Sequence, residues 1–191
     1  MTGRTNILPL LCKAGILVFL LFMLATATNA QSTTQEVQVV DVSLTNVIDL
    51  KFTATGTSTG STVSMPISSI ANFVNGVTSS TYQISASSTK PFNITAKTNA
   101  ANFTYTGTYT SGTTMPVSGK LKLQLSGNNT GGSIAGTFST YTSLSSMDQT
   151  IISNATTGNN KTFSVQYQAV PGLAYPAGTY TTQVIYTATQ Q

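Results

Sequence analysis

Histidine and tryptophan are absent from this chain, cysteine occurs once, and aspartate and glutamate together number four in 191 residues. Each absence removes a class of chemistry. Without histidine there is no side chain whose ordinary pKa lies near neutrality, the usual general base. The single cysteine, Cys12, lies in an amino-terminal leader, so the remaining chain has no thiol, disulfide or thiolate metal ligand. Serine and threonine are plentiful, but no base is at hand to activate them as nucleophiles. The acids are Glu36, Asp41, Asp49 and Asp148. In a continuous strand, Asp41 and Asp49 stand roughly 26 Å apart, against the ~5–10 Å of paired glycosidase carboxylates. A hairpin would shorten that distance, with Asp148 or Glu36 completing a site; otherwise each acid is a solvated or turn-capping group. No calcium-loop pattern of closely spaced acids occurs. The sequence therefore reads as a non-catalytic protein that requires no metal or cofactor.

Charge is also scarce, at 6% of residues. Lys51, Lys90, Lys97, Lys120, Lys122 and Lys161 are scattered, whereas nucleic-acid binding calls for a basic face or stripe. Nucleic acid is not an expected partner.

Residues 1–30 read as an export signal: Arg4 and Lys13 precede the apolar core "AGILVFLLFMLA", and small residues follow. Cleavage is expected after Ala30 or after Ala27. The core, about 12 residues, falls short of the ~20 that span a bilayer. Cys12 precedes the core, so it is not a lipoprotein acylation site. Removal of the leader takes the formal charge from +4 to +2. What remains, residues 31–191, is long enough to form one domain with a substantial core.

What is abundant is strand pattern. "KTFSVQYQAV" sets Phe163, Val165, Tyr167 and Ala169 on one face; "GKLKLQLSG" does the same with Leu121, Leu123 and Leu125. Phe92, Ile94 and Ala96 alternate with polar residues, and Phe103 and Tyr105 alternate with threonines. The closing run, 179–191, sets Tyr180, Thr182, Val184 and Tyr186 against Thr181, Gln183, Ile185 and Thr187. Such alternation gives each strand one buried and one wet face. Between the runs lie turn-rich stretches at 55–61, 126–133, 154–161 and 170–178. Residues 65–77 hold the one short helical pattern, through Ile67, Ile70 and Phe73, closed by Asn75–Gly76. Many short strands without covering helices predict an all-β, antiparallel two-sheet sandwich of roughly seven to ten strands.

The closing "PAGTYTTQVIYTAT" (176–189) resembles the final strand of bacterial surface and fimbrial sandwiches, namely the spore-coat-protein-U type of pilus subunit and the WxL-type surface domains. The cysteines usual in the first and the signature tryptophan of the second are absent. The resemblance implies an immunoglobulin-like or pilin-like sandwich at or near the cell surface, and it carries over no functional residues.

Two further features bear on function. Val37 and Val39, then Val40, Val42 and Leu44 beyond a bulge, form an extended apolar-alternating segment just after the leader. It is either the first strand of the protein's own sandwich or a donor that adds to the sheet edge of a neighbour. The closing strand lacks charge and proline, the devices that blunt an exposed edge, so it is expected to be covered by the chain's own first strand or by a neighbour. The expectation is an exported surface or fimbria-like structural or adhesive subunit, self-associating or joined to a surface protein. The alternative is a secreted or periplasmic carbohydrate- or peptide-binding sandwich, marked by an exposed aromatic patch among Tyr105, Tyr109, Tyr141, Tyr175, Tyr180 and Tyr186. Five Asn-X-Ser/Thr triplets, at Asn93, Asn102, Asn128, Asn154 and Asn160, are what a chain rich in these residues yields by chance.

Overall fold

A computed structural model describes residues 38–191. The leader and Val37 lie outside these residues. Residues 38–43 carry no regular structure and are exposed. Residues 44–191 form a separate compact unit, an antiparallel two-layer β-sandwich.

Among the described residues there are twelve strands: β1 (Ile48–Phe52), β2 (Val77–Thr78), β3 (Tyr82–Ser88), β4 (Phe92–Thr98), β5 (Thr104–Thr106), β6 (Leu121–Asn128), β7 (Ser133–Ile134), β8 (Thr142–Ser143), β9 (Gln149–Ala155), β10 (Gly158–Ala169), β11 (Thr179–Thr181) and β12 (Val184–Gln190). The count exceeds the expected seven to ten because β2, β7 and β8 are two-residue pieces, too short to show any alternation. One sheet runs β1-β3-β10-β6-β8, with β2 also on β10; the other runs β12-β4-β9-β7; β5 and β11 form a two-stranded sheet of their own.

The core is the sum of the inward faces. Phe163, Val165, Leu121, Leu123 and Ile84 from the first sheet meet Phe92, Ile94, Ile151 and Ile152 from the second, all at most 3% exposed. Adjacent Ile151 and Ile152 are both buried because the β4–β9 register shifts between Ile94 and Thr95. The extra residue of a bulge turns a second side chain inward. The interior polar groups are matched: Thr130 donates its hydroxyl to Asn128 Oδ1 at 2.7 Å, and no buried side-chain polar atom lacks a partner among the described residues.

The short helix α1 (Ile70–Asn75) begins at Ser69, whose hydroxyl accepts the Asn72 N–H, and stops at Gly76 with φ +84°. A Cβ at Gly76 would press on the Ala169 carbonyl, so this turn requires glycine twice over. Ile67 lies before the helix rather than in it. No helix among the described residues is long and apolar enough to cross a membrane.

Two expectations about the chain's ends are corrected. The closing run is two strands in two different sheets, not one. Asn99 Oδ1 accepts both the Thr182 hydroxyl and the Gln183 N–H, each at 3.0 Å, and this polar clasp interrupts the ladder between β11 and β12. The other correction concerns one of the two covers expected for the closing strand: β1 pairs with β3, so the chain's own first strand does not cover β12, which stands at the edge of its sheet, and cover by a neighbour is the alternative that remains. The first strand begins at Ile48, and residues 38–44 belong to none.

Candidate functional site

The two sheets end side by side at β1 and β12. Gln190 donates from Nε2 to the Val47 carbonyl at 2.8 Å, and the Phe52 and Tyr186 rings meet edge to face, centroids 6.2 Å apart. The start of β1 therefore lies by the end of β12, and the strands run in opposite directions without pairing. Between them is a groove of about 250 Å³, walled mainly by Leu50, Phe52, Ile84, Val184, Ile185 and Tyr186, with Lys51 and Ser58 completing it.

The pairing of β12 shows which backbone groups face this seam. In an antiparallel ladder, hydrogen-bonded residue pairs alternate with non-bonded ones. The Asn99 N–H donates to the Gln183 carbonyl at 3.0 Å, and the Gln191 N–H to the Pro91 carbonyl at 2.9 Å. Both couple odd positions in the uninterrupted register of β12 with β4. Ile185, Thr187 and Thr189 thus spend their backbone groups on β4, and Val184, Tyr186, Ala188 and Gln190 direct theirs to the open side. The same reasoning applies to β1, where Val47 and Thr53 bond outward to β3 and Ile48 and Leu50 face the seam. Phe52 is already occupied, its N–H and carbonyl closing a turn with Thr57 and Gly56.

The two edges are not equivalent. β1 carries Asp49 and Lys51, paired at 3.0 Å, and is cut short by its turn. β12 offers seven residues without charge or proline. The sheets' far edges, β8 and β7, are two residues each. Among the described residues, β12 is the one long edge left unblunted.

Beneath the seam, Tyr186 and Tyr167 hydroxyls meet at 2.7 Å, joining the two sheets. Phe163 packs on Tyr186 and Tyr82 on Tyr167. Burial pushes the Tyr167 phenol up to about 12, the hydrogen bond with Tyr186 opposing the rise. Burial, and then the neighbouring Tyr167, holds the Tyr186 phenol well above its usual value. Both phenols are neutral at any physiological pH. Tyr186 is therefore a strut between sheets, not part of an exposed patch.

Of the proposed donor residues, Val39, Val40, Val42 and Leu44 are 74–89% exposed; Val37 lies outside the described residues. Asp41 is exposed, and Asp148 pairs with Lys97 at 3.2 Å on the surface. Glu36 lies outside the described residues. No protein-family model matches the chain, and no curated protein matches it either.

Sequence reasoning missed the identity of the open edge and the seam. The alternation of β12 is plain in the sequence, but its partner is set by a long-range choice of β1 between β3 and β12. The one available signal is that "IDLKF" carries two charges and "VIYTATQ" none.

Proposed function

We propose that this protein is an exported, non-catalytic structural subunit of a cell surface, associating by β-strand addition: residues 37–44 of one copy pair with β12 of the next. The observation that carries the reading is the open backbone edge at Val184, Tyr186, Ala188 and Gln190 above a mainly apolar groove. Main-chain hydrogen bonds supply affinity in such additions, and alternate side chains filling pockets supply specificity. Val40, Val42 and Leu44 share one face of an extended segment and are exposed in the isolated chain. Eight extended residues span ~26 Å, enough to cover the ~23 Å of β12. The leader-like residues 1–30 and the resemblance of residues 176–189 to surface and fimbrial sandwiches support the location.

The test is the molar mass of residues 31–191 by size exclusion with light scattering, beside a chain beginning at Leu44 and the variant Ala188→Pro. Proline at 188 deletes an open-side N–H and obstructs an incoming strand, while the bonds to β4 remain. Oligomers are expected from residues 31–191 and monomers from the other two. A monomer at every concentration, or undiminished assembly of Ala188→Pro, would overturn the proposal.

A further inference from the structure

Away from the seam, the small sheet of β5 and β11 gathers aromatic residues that the core does not use. Tyr105 and Tyr180 are direct cross-strand partners, their ring centroids 5.0 Å apart. Tyr175 meets Tyr180 edge to face at 6.4 Å. Lys120 Nζ sits 5.7 Å from the Tyr175 ring centroid. Tyr109 donates its backbone N–H to the Tyr105 hydroxyl at 3.2 Å and is itself 55% exposed. None of these four tyrosines belongs to the hydrophobic core.

The inner pair is locked. Tyr105 donates its hydroxyl to the Ala177 carbonyl at 3.0 Å, and Tyr180 donates to Pro176 at 3.1 Å. A Cβ at Gly107 or Gly178 would collide with the Tyr105 ring. The loop that bears Tyr175 is anchored at its base by the Val170 N–H on the Lys120 carbonyl, and by the Gly172 N–H on Phe73. The outer groups, by contrast, are left available. Tyr109 and Tyr175 hydroxyls make no hydrogen bond among the described residues, and Lys120 has no acidic partner there, since the two ion pairs belong to Lys51 and Lys97.

Two tyrosines with unspent phenols, set beside a locked aromatic pair and an unpaired cation, match the needs of a particular ligand. A pyranose ring presents a patch of C–H bonds that lies against the electron-rich face of an aromatic ring. Its hydroxyls satisfy phenols, and a carboxylate on it satisfies an ammonium. We infer that Tyr109, Tyr175 and Lys120, held by the locked Tyr105–Tyr180 pair, form a binding site for an acidic, uronate-bearing glycan. The site lies on the loops beside the β5–β11 sheet, uses no residue of β1 or β12, and does not depend on strand addition.

Binding is read by affinity electrophoresis of residues 31–191 through gels containing polygalacturonate, alginate or the neutral polymer dextran, and repeated on Ala188→Pro to separate it from assembly. Retardation by a uronate polymer is expected, weaker with dextran. Tyr175→Ala and Tyr109→Ala should each weaken it about tenfold or more, and Lys120→Met should abolish the preference for uronate. Circular dichroism checks that the variants fold. In the unmodified protein, aromatic NMR signals of Tyr109 and Tyr175 should shift on titration with a uronate oligosaccharide, while those of Tyr82 stay in place. Absence of retardation by both uronate polymers, equal retardation by dextran, or binding insensitive to Tyr175→Ala and Tyr109→Ala would each overturn the inference.

Discussion

Strands β10 and β12 carry the same alternation and have different fates. β10 has β3 on one side and β6 on the other, and its inward Phe163, Val165 and Tyr167 are 1%, 0% and 7% exposed. β12 has only β4, and its inward Val184, Tyr186 and Ala188 remain half-buried. A strand's own pattern selects which face turns inward. The depth of burial depends on how many neighbours close over it, and that is not written in the strand.

The comparison is tested most strongly by emptying each strand's inner face. Phe163→Ala, at the centre, should cost about 3–5 kcal/mol, while Val184→Ala, at the open edge, should cost about 1 kcal/mol. Urea unfolding of both variants reads the difference, and equal losses would mean that β12 is as enclosed as β10.

A smaller effect separates the two sides of β12 itself. Thr187→Pro removes a ladder N–H to β4 and should cost about 1–3 kcal/mol. Ala188→Pro removes only an open-side N–H and should leave the melting temperature of the monomer nearly unchanged. The reverse order would show that the hydrogen-bonding parity of β12 is the opposite of the one deduced from Gln183 and Gln191.

The smallest expected effect concerns the tyrosine strut that ties the two strands together. Tyr186→Phe leaves the Tyr167 hydroxyl without its 2.7 Å partner and should cost about 1–2 kcal/mol at neutral pH. The strut also predicts an alkaline limit. Both phenols titrate higher in the folded state than the ordinary value of about 10, so the folded protein retains protons that the unfolded chain gives up. Stability is complete below pH 10 and falls as pH rises toward about 12, the value for Tyr167. Tyr186→Phe removes one of the two groups and should make that fall shallower. An unchanged alkaline profile, measured by denaturant titration between pH 9 and 12, would place the proton linkage elsewhere.

Much of the fold was legible. The inward faces of β4, β6 and β10 are the residues that the period-two pattern selects, and the stretch 55–61 is a turn, whereas Gly158–Lys161, expected in a turn, opens β10 and Ser126–Asn128 closes β6. Gly76 closes helix α1 where Asn75–Gly76 announced it. What escaped were decisions made by distant groups. Asn99 splits the closing run into β11 and β12, from a position more than 80 residues away. The bulge at Ile151 buries two consecutive residues, which no alternation predicts. The tyrosines of "YTGTY" and "YPAGTY" were visible as aromatics at strand spacing, as were Tyr167 and Tyr186. That the last two became a strut between sheets and the others a surface cluster depends on which sheet each strand joined.

By itself, the sequence determined the strand class, the faces that turn inward and the residue types that are missing, because these follow from side-chain period and composition alone. Only the tertiary structure decided that β1 pairs with β3, that β12 keeps an open edge above a mainly apolar groove, and that four tyrosines and a lysine meet around a sheet of two short strands. Those outcomes rest on contacts between segments far apart in the chain, where competing pairings of similar local merit are separated by the packing of the whole.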